Sequence, residues 1–268
     1  MIVKLLIGLV ALYGMILVAG YATQRRLLYL VDATHVIPAE AGLPDVSELL
    51  IDAPDGARVV VWYGRAKPGQ PTILYFHGNG GTLIDRKPRI ERFMGEGWGV
   101  FMMTYRGYGG SIGSPTEADN VSDAVRAFDR LEALGVAARD VVIYGESLGT
   151  GVATQVAVHR RAAGLILDAP FTSIPDVAKR HFWYIPVQLI MRDRYETKRI
   201  IDKINMPLLI MHGALDATVP VEMGRTLMTL AQEPKTLAIL PRGGHSDLYT
   251  DGNQGLAAVR SFILGLQR

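Results

Sequence analysis

The chain begins with an apolar segment that no charged residue interrupts. Lys4 is followed by twenty uncharged residues, 5–24, and the pair Arg25 and Arg26 closes that run. A helix rises about 1.5 Å per residue, so such a run extends over about 30 Å, the thickness of the hydrocarbon core of a bilayer. No polar stripe divides the run, as one would in a core helix of a soluble domain. The pattern therefore predicts a transmembrane anchor over residues 1–26.

Two alternatives stay open for this first segment. One is a buried core helix, and the other is a cleaved signal peptide with its cleavage site near Gly20 to Ala22. The apolar run exceeds the roughly 7–15 residues that are usual for the apolar region of a signal peptide, which favours an uncleaved anchor. Positive charge lies at both ends of the apolar run, at Lys4 and at Arg25 and Arg26, so the sequence indicates no orientation in the membrane.

Beyond residue 30, short apolar runs alternate with segments of helical period. Runs rich in β-branched and aromatic residues predict strands over 58–63, 72–76, 100–105, 141–144, 164–168, 208–211 and 236–240. Helical spacing predicts helices over 121–131, 148–159, 221–230 and 255–266. Thr116, followed three residues later by Asp119, is typical of a helix N-terminus. This alternation predicts an α/β fold in which helices flank a mostly parallel sheet, within one domain of residues 27–268.

One stretch, residues 171–205, breaks the alternation. It contains no clear strand, and it includes the aromatic sequence Phe182, Trp183, Tyr184. Open α/β sheets bind ligands at the carboxyl ends of their strands, and this stretch follows such an end. We therefore expect a small helical cap insertion over that edge. An ordinary crossover helix with a long loop is the alternative.

Composition excludes several classes of protein. The chain is 49% hydrophobic and 20% charged, which excludes a disordered protein. Its net charge of +2 gives no electrostatic argument for binding nucleic acid. The absence of cysteine excludes a disulfide scaffold and a thiolate nucleophile. No two histidines are four residues apart, so the sequence does not indicate a metal site.

A serine at the junction of a strand and a helix is the first candidate for chemistry. Residues 145–149 read Gly-Glu-Ser-Leu-Gly, directly after one predicted strand and at the start of a predicted helix. A nucleophile at such a turn projects its hydroxyl above the sheet. Glycine and serine are common in turns, so the five letters alone are a weak signal. Their position between a strand and a helix makes Ser147 the predicted nucleophile.

A serine hydroxyl needs a base, and the base needs an acid that orients it. His245 lies in the loop after the last predicted strand, and Asp216 lies after the strand before it. Both loops follow carboxyl ends, so they face the same edge of the sheet as Ser147. Asp168 also ends a strand and is the competing candidate for the acid. Each of these residues alone is more often an ordinary surface or turn residue; together they predict a catalytic set.

Donors for a developing oxyanion are expected from two places. The glycine-rich loop over residues 75–81 follows the second predicted strand, and the helix after Ser147 begins at Leu148. We predict the backbone amides of Asn79 and Leu148 as the oxyanion hole. His77 is expected to order the loop, and Glu146 is expected to make structural hydrogen bonds. The glycines complete neither a dinucleotide-binding fingerprint nor a phosphate-binding loop.

From about residue 50 to its end, the sequence resembles the α/β-hydrolase superfamily. The motifs that carry the resemblance are His77-Gly-Asn-Gly-Gly, Gly-Glu-Ser147-Leu-Gly, His212-Gly-Ala-Leu-Asp216 and Gly-His245. The chain order serine, aspartate, histidine is also the one found in that superfamily. The resemblance implies an α/β-hydrolase fold with Ser147, Asp216 and His245 as the catalytic triad.

The stretch from Tyr105 to Pro115, Tyr-Arg-Gly-Tyr-Gly-Gly-Ser-Ile-Gly-Ser-Pro, narrows the resemblance. It is similar to a branch of membrane-anchored α/β-hydrolase-domain proteins. Relatives in that branch include monoacylglycerol lipases, lysophospholipid lipases and acyl-protein thioesterases, and serine aminopeptidases are similar as well. This motif indicates the branch rather than the substrate.

The sequence therefore predicts a serine hydrolase that cleaves carboxylic esters, with acyl lipids as the favoured substrates and an acyl-enzyme as the intermediate. Such chemistry requires no metal and no organic cofactor. The expected partners are a small-molecule or lipid acyl substrate and the membrane lipid around the N-terminal helix, with no nucleic acid; the oligomeric state stays open. An acyl thioesterase or an amidase or peptidase with the same residues is an alternative, and Asp176, Asp193 or Glu196 would then receive a free amine. A membrane-tethered binding module on the same fold is the non-enzymatic alternative.

Overall fold

The computed structural model describes residues 1–245 and 254–266. Within them lies a sheet with the strand order β1-β2-β4-β3-β5-β6-β7-β8. The strands are β1 (Val46–Asp52), β2 (Arg58–Gly64), β3 (Thr72–Phe76), β4 (Gly99–Met103), β5 (Val141–Glu146), β6 (Gly164–Asp168), β7 (Leu208–Gly213) and β8 (Lys235–Leu240). Only β2 pairs antiparallel with its neighbours β1 and β4, and the other pairs are parallel. The predicted mostly parallel sheet is therefore confirmed.

Helices cover both faces of this sheet, as predicted. The helices of the described residues are α1 (Ile2–Leu28), α2 (Lys87–Gly95), α3 (Glu117–Ala133), α4 (Leu148–His159), α5 (Ile174–His181), α6 (Val187–Ile190), α7 (Val221–Leu230) and α8 (Gln254–Leu266). Short 3-10 turns lie at Ile84–Arg86, Ala138–Asp140, Thr197–Arg199 and Ile201–Lys203. At the start of α3, the Thr116 hydroxyl accepts a hydrogen bond from the Asp119 amide at 3.0 Å, which is the expected cap.

The apolar character of the central strands follows from this arrangement. Alternate residues of a strand point to opposite faces of a sheet. Leu74 and Phe76 of β3 pack in the core beneath α3 and α4, whereas Ile73 and Tyr75 pack in the core beneath α2 and α8. Both faces are buried, so the strand carries apolar residues throughout.

Strand β1 and helix α2 were not predicted from the sequence. At the edge of the sheet, β1 is buried only at Val46 and Ile51, so it shows neither a continuous apolar run nor a clean alternation. The buried residues of α2 are Arg89, Ile90 and Phe93, which is too few apolar positions to establish a helical period.

Helix α1 differs from every other long helix in having no buried residue. It is long and apolar enough to cross a membrane, as the sequence predicted. This exposure is unlike the core helix that was considered as an alternative. The basic residues Arg25 and Arg26 lie in its last turn.

Residues 171–205 connect β6 to β7, and we call them the cap segment. All of them are described by the structure, and they form α5, α6 and two 3-10 turns without a strand. Ser173 caps α5 by accepting a hydrogen bond from the Asp176 amide at 3.1 Å. The cap segment leaves the sheet at the carboxyl end of β6, next to the turn that carries Ser147.

Candidate active site

Ser147 occupies a strained turn between β5 and α4. Its φ of 50° and ψ of −115° lie in a region that residues with a side chain rarely adopt. A side chain at Gly145 would overlap the backbone of Gly149, and one at Gly149 would overlap the carbonyl group of Phe76. The Ser147 amide donates to the Asp168 carbonyl at 2.9 Å. Both glycines are therefore required by the close approach of β5, α4 and β3.

Three side chains from distant parts of the chain meet at this turn. The Oγ atom of Ser147 lies 2.9 Å from Nε2 of His245, and Nδ1 of His245 lies 2.7 Å from Oδ2 of Asp216. The other carboxylate oxygen of Asp216 accepts hydrogen bonds from the amides of Thr218 and Val219, at 2.9 and 2.8 Å. This arrangement allows a proton to pass from the serine to the imidazole while the carboxylate holds the ring in place.

Electrostatics favour an ionised aspartate beside this histidine. Burial opposes ionisation of Asp216, but hydrogen bonds from His212 and His245 bring its pKa well below the ordinary value. Burial also opposes protonation of His245, but the hydrogen bond and charge of Asp216 raise the pKa of the imidazole above its ordinary value. The histidine is therefore prepared to accept a proton.

Asp168, the competing candidate for the acid, has other partners. Its carboxylate accepts a hydrogen bond from the Tyr144 hydroxyl at 2.6 Å and lies 3.6 Å from Nη1 of Arg89. Burial raises its pKa to about 6. Nδ1 of His245, the ring nitrogen that an acid would orient, lies next to Asp216 and not next to Asp168.

Glu146, the neighbour of the serine, belongs to a buried network behind the turn. Its carboxylate accepts a hydrogen bond from the Tyr75 hydroxyl and lies 3.3 Å from Nε of Arg86 and 3.2 Å from Nη1 of Arg89. Burial opposes ionisation, yet the two guanidinium groups lower the pKa of Glu146 to about 2. This network fixes β5 against α2 and engages the Glu146 carboxylate with Tyr75, Arg86 and Arg89.

The glycine-rich loop after β3 is held by hydroxyl groups that the sequence analysis gave no role. Tyr105 donates to the His77 carbonyl at 2.8 Å, and Tyr108 donates to the Asn79 carbonyl at 2.7 Å. Nδ1 of His77 lies 2.7 Å from the carbonyl oxygen of Gly78, and burial lowers the pKa of His77 to about 3. Tyr105 and Tyr108, from the motif of residues 105–115, therefore position the loop that contains Asn79, and a neutral His77 orders it.

A cavity of about 380 Å³ opens at Ser147 and His245, and Asn79 and Leu148 lie on its wall. The rest of its lining is mainly apolar. The cap segment contributes, among others, Phe171, Ile174, Val177, Phe182, Ile185 and Ile190. This size and character suit a small molecule with an apolar chain. Among the described residues, no group of three potential metal ligands occurs.

Helix α1 also lines the cavity, which the sequence analysis did not foresee. Gly20, Gln24, Leu27 and Leu28 all contribute to its wall. A polar residue at the end of an otherwise apolar run, Gln24, is the one signal in the sequence that could have indicated a contact with the domain.

The acidic residues considered for binding a free amine have partners of their own. Asp176 lies 2.7 Å from Nζ of Lys198, and Asp193 lies 2.7 Å from Nε of Arg25. Glu196 lies 2.7 Å from Nη2 of Arg194. None of the three is among the residues that line the cavity.

Comparisons with known proteins agree with this architecture. The family model described as serine aminopeptidase, S33, matches residues 67–196. An uncharacterized protein of Mycobacterium tuberculosis is 34% identical over 247 residues, which cover 91% of this chain and 88% of that protein. The lysophosphatidylserine lipase ABHD12 of Danio rerio is 31% identical over 228 residues, which cover 77% of this chain and 58% of the lipase.

A solved structure has the same fold. The esterase of Pyrococcus furiosus superposes with a TM-score of 0.71 at 18% identity, over 89% of this chain and 98% of the esterase chain. Three findings lead to one assignment. They are the fold shared with this esterase, the relatives at 30% identity or more, and the strand order of the sheet. The chain is a hydrolase that belongs to the α/β-hydrolase superfamily and resembles its branch of membrane-anchored α/β-hydrolase-domain proteins.

Proposed function

We propose that this protein is a membrane-associated serine esterase that cleaves carboxylic esters with an apolar acyl chain. One observation carries the proposal: the Oγ atom of Ser147 lies 2.9 Å from Nε2 of His245, and both residues line a mainly apolar cavity. A nucleophile, its base and a chain-binding space therefore adjoin each other.

In the proposed reaction, His245 takes the proton of Ser147 as the Oγ atom attacks the ester carbonyl carbon. The amides of Asn79 and Leu148 donate to the oxyanion of the tetrahedral intermediate. The intermediate collapses, and the alcohol leaves with the proton from His245. Water then attacks the acyl-enzyme by the same route and releases the acid. Asp216 stabilises the imidazolium in both halves of the reaction.

The apolar lining of the cavity supports an acyl chain as the part of the substrate that binds. The similarity to a lysophosphatidylserine lipase supports acyl lipids as the substrate class. Placement of the enzyme at a membrane would give such substrates direct access, since they partition into the bilayer.

Exposed apolar residues support the membrane association. Trp183 is 80% exposed and Leu189 is 84% exposed, and both lie in the cap segment. The hydroxyl of Tyr13 in α1 donates to the carbonyl of Tyr184 at 2.7 Å, so this aromatic part of the cap adjoins the apolar helix. A contiguous apolar surface of this kind is typical of a protein that contacts lipid.

Turnover of p-nitrophenyl esters of increasing chain length by the full chain in lipid vesicles tests the proposal. Wild-type protein should hydrolyse them, and Ser147→Ala should lose all measurable turnover. Ser114→Ala, at an exposed serine on another loop, is the matched control and should behave like wild type. Retained turnover in Ser147→Ala, or its absence from wild type, would refute the proposal.

The same assay separates the esterase from a peptidase. The family model carries the name of a serine aminopeptidase, which makes aminoacyl p-nitroanilides the appropriate comparison. The acidic groups that would bind a free amine are already paired with basic side chains. We therefore expect esters to be turned over much faster than these amides, and the reverse result would favour the peptidase.

A further inference from the structure

Helix α1 contacts the rest of the protein along one stripe. The half-buried residues Gly14, Leu17, Gly20, Gln24 and Leu28 follow each other at intervals of three or four. Residues at this spacing share one face of a helix. The C-terminal half of α1 therefore lies against the protein on a defined face, whereas a simple tether would be free on all sides.

Polar contacts fix that face to the cap segment. The side chain of Gln24 donates to the Ile190 carbonyl at 3.2 Å and accepts from the Arg192 amide at 2.7 Å. Arg25 makes two hydrogen bonds to the carboxylate of Asp193, at 2.7 and 3.0 Å. A paired, two-point contact of this type is directional, so it sets the rotation of the helix as well as its position.

The end of α1 is also joined to the glycine-rich loop. The side chain of Asn79 donates to the Leu28 carbonyl at 3.1 Å, and the Leu30 amide donates to the Asn79 carbonyl at 3.0 Å. Just beyond the helix, the hydroxyls of Tyr29 and Tyr195 lie 3.0 Å apart in a buried position. The helix is therefore connected both to the cap and to the loop beside Ser147.

The docked face of α1 borders the same cavity as Ser147. Gly20 lies there about two helical turns before Leu28. A Cβ atom added at Gly20 would meet no atom within 4 Å, so the space in front of this residue is open. A Cβ atom added at Gly8, nearer the N-terminus of α1, would also meet no atom within 4 Å. Gly8 is exposed, however, and does not border the cavity.

We propose that α1 is a wall of the acyl-binding cavity and that Gly20 determines the length of the acyl chain that fits. The proposal rests on the esterase function proposed above. The acyl chain of a substrate bound to Ser147 runs between the cap segment and α1 and passes in front of Gly20, where the missing side chain leaves room. The apolar helix then selects the substrate in addition to holding the protein at a membrane.

Gly20→Phe and its matched control Gly8→Phe test this proposal in the full chain, in the same vesicles. We expect Gly20→Phe to lower kcat/KM for long-chain p-nitrophenyl esters by at least about tenfold relative to acetate, because the ring occupies the path of the chain. Gly8→Phe makes the same change in the same helix and should keep the wild-type profile. Identical profiles for all three proteins would overturn the proposal.

A second measurement does not depend on turnover or on a bulky substitution. The chain has no cysteine, so the thiol of the Gly20→Cys variant is unique. The Ser147 oxygen attacks the phosphorus of a long-chain alkyl fluorophosphonate, its proton passes to His245, and a phosphorus–oxygen bond replaces the phosphorus–fluorine bond as fluoride leaves. Its alkyl chain should then slow alkylation of that thiol by a maleimide, whereas a methyl analogue should not. The thiol of Gly8→Cys should be alkylated at the same rate in all cases.

The outcomes distinguish the two proposals. If the fluorophosphonate does not react with Ser147, the esterase function fails, and the acyl-chain wall fails with it. If it reacts but leaves alkylation of Gly20→Cys unchanged, α1 is not a wall of the occupied cavity, although the esterase function stands. Protection by the long-chain reagent alone is the result expected here.

Discussion

The two sides of the cavity are built in different ways. Ser147, Asp216 and His245 follow the ends of β5, β7 and β8, and their positions depend on a buried sheet and on close backbone contacts. The opposite side consists of the short helices of the cap segment and the exposed helix α1, joined by hydrogen bonds and ion pairs near the surface. We call the first side the rigid side, because it is built on buried strands; it suits the proposed proton transfer, which tolerates little displacement, and the other side suits the proposed selection of a substrate.

The largest expected effect concerns Asp216, the proposed acid on the side of the sheet. Asp216→Asn should lower kcat by roughly 10⁴-fold, because the amide no longer holds His245 in the required tautomer. Asp168→Asn is the control, since Asp168 is bonded to Tyr144 rather than to His245, and its loss of activity should be much smaller. Steady-state kinetics on a short-chain ester measure both. A larger loss in Asp168→Asn would transfer the acid role to that residue.

The second prediction compares one glycine from each side. Gly149→Ala should destabilise the protein by about 3 kcal/mol or more, because the new methyl group overlaps the backbone of Phe76. Gly20→Ala meets open space in α1 and should change stability by no more than about 1 kcal/mol. Thermal unfolding of the full chain in one detergent gives both values. Equal melting temperatures for the two variants would contradict the difference between the sides.

The pH dependence of kcat/KM tests the protonation of His245, on the rigid side of the cavity. In the proposed mechanism His245 must be neutral to accept the serine proton, and the hydrogen bond and charge of Asp216 raise its pKa. Activity should therefore rise with pH through a midpoint above 6.5, the ordinary histidine value. Removal of the negative charge in Asp216→Asn should move this midpoint to lower pH in the residual activity. A midpoint that Asp216→Asn leaves in place would show that His245 is not the titrating base.

The smallest expected effect concerns the exposed side. Brominated lipids should quench part of the tryptophan fluorescence of the protein in vesicles, and Trp183→Phe should remove that quenching. Trp183 is 80% exposed, whereas Trp62 and Trp98 are only 1% and 3% exposed, so the buried pair provides an internal reference. Equal quenching with and without Trp183 would show that the aromatic part of the cap does not contact lipid.

The difference between the two sides of the cavity also explains which elements could be predicted from the sequence. The central strands were predictable because burial on both faces requires apolar residues throughout, and α4 begins where a glycine-flanked turn requires it. The positions of Asp216 and His245 at one edge followed from the rule that parallel strands share an edge. Their roles in catalysis stay predictions.

What the sequence did not predict depends on contacts between distant elements. The stripe of α1 that docks on the cap involves Gly20 and Gln24, and apart from the polar Gln24 nothing local to the helix indicates which face finds a partner. The hydrogen bonds from Tyr105 and Tyr108 to the loop around Asn79 join segments about 30 residues apart. The partners of each pair lie in separate segments, and no spacing within one segment indicates which residue of the other it meets, so only the folded structure reveals the pairing.

Mapping the site of phosphonylation tests the central claim most directly. The full chain, treated with a short fluorophosphonate at neutral pH and digested, should carry one adduct, on the peptide that contains Ser147. His245→Ala should slow formation of that adduct by several orders of magnitude, because the hydroxyl loses its base. An adduct on another serine, or an unchanged rate in His245→Ala, would contradict the account.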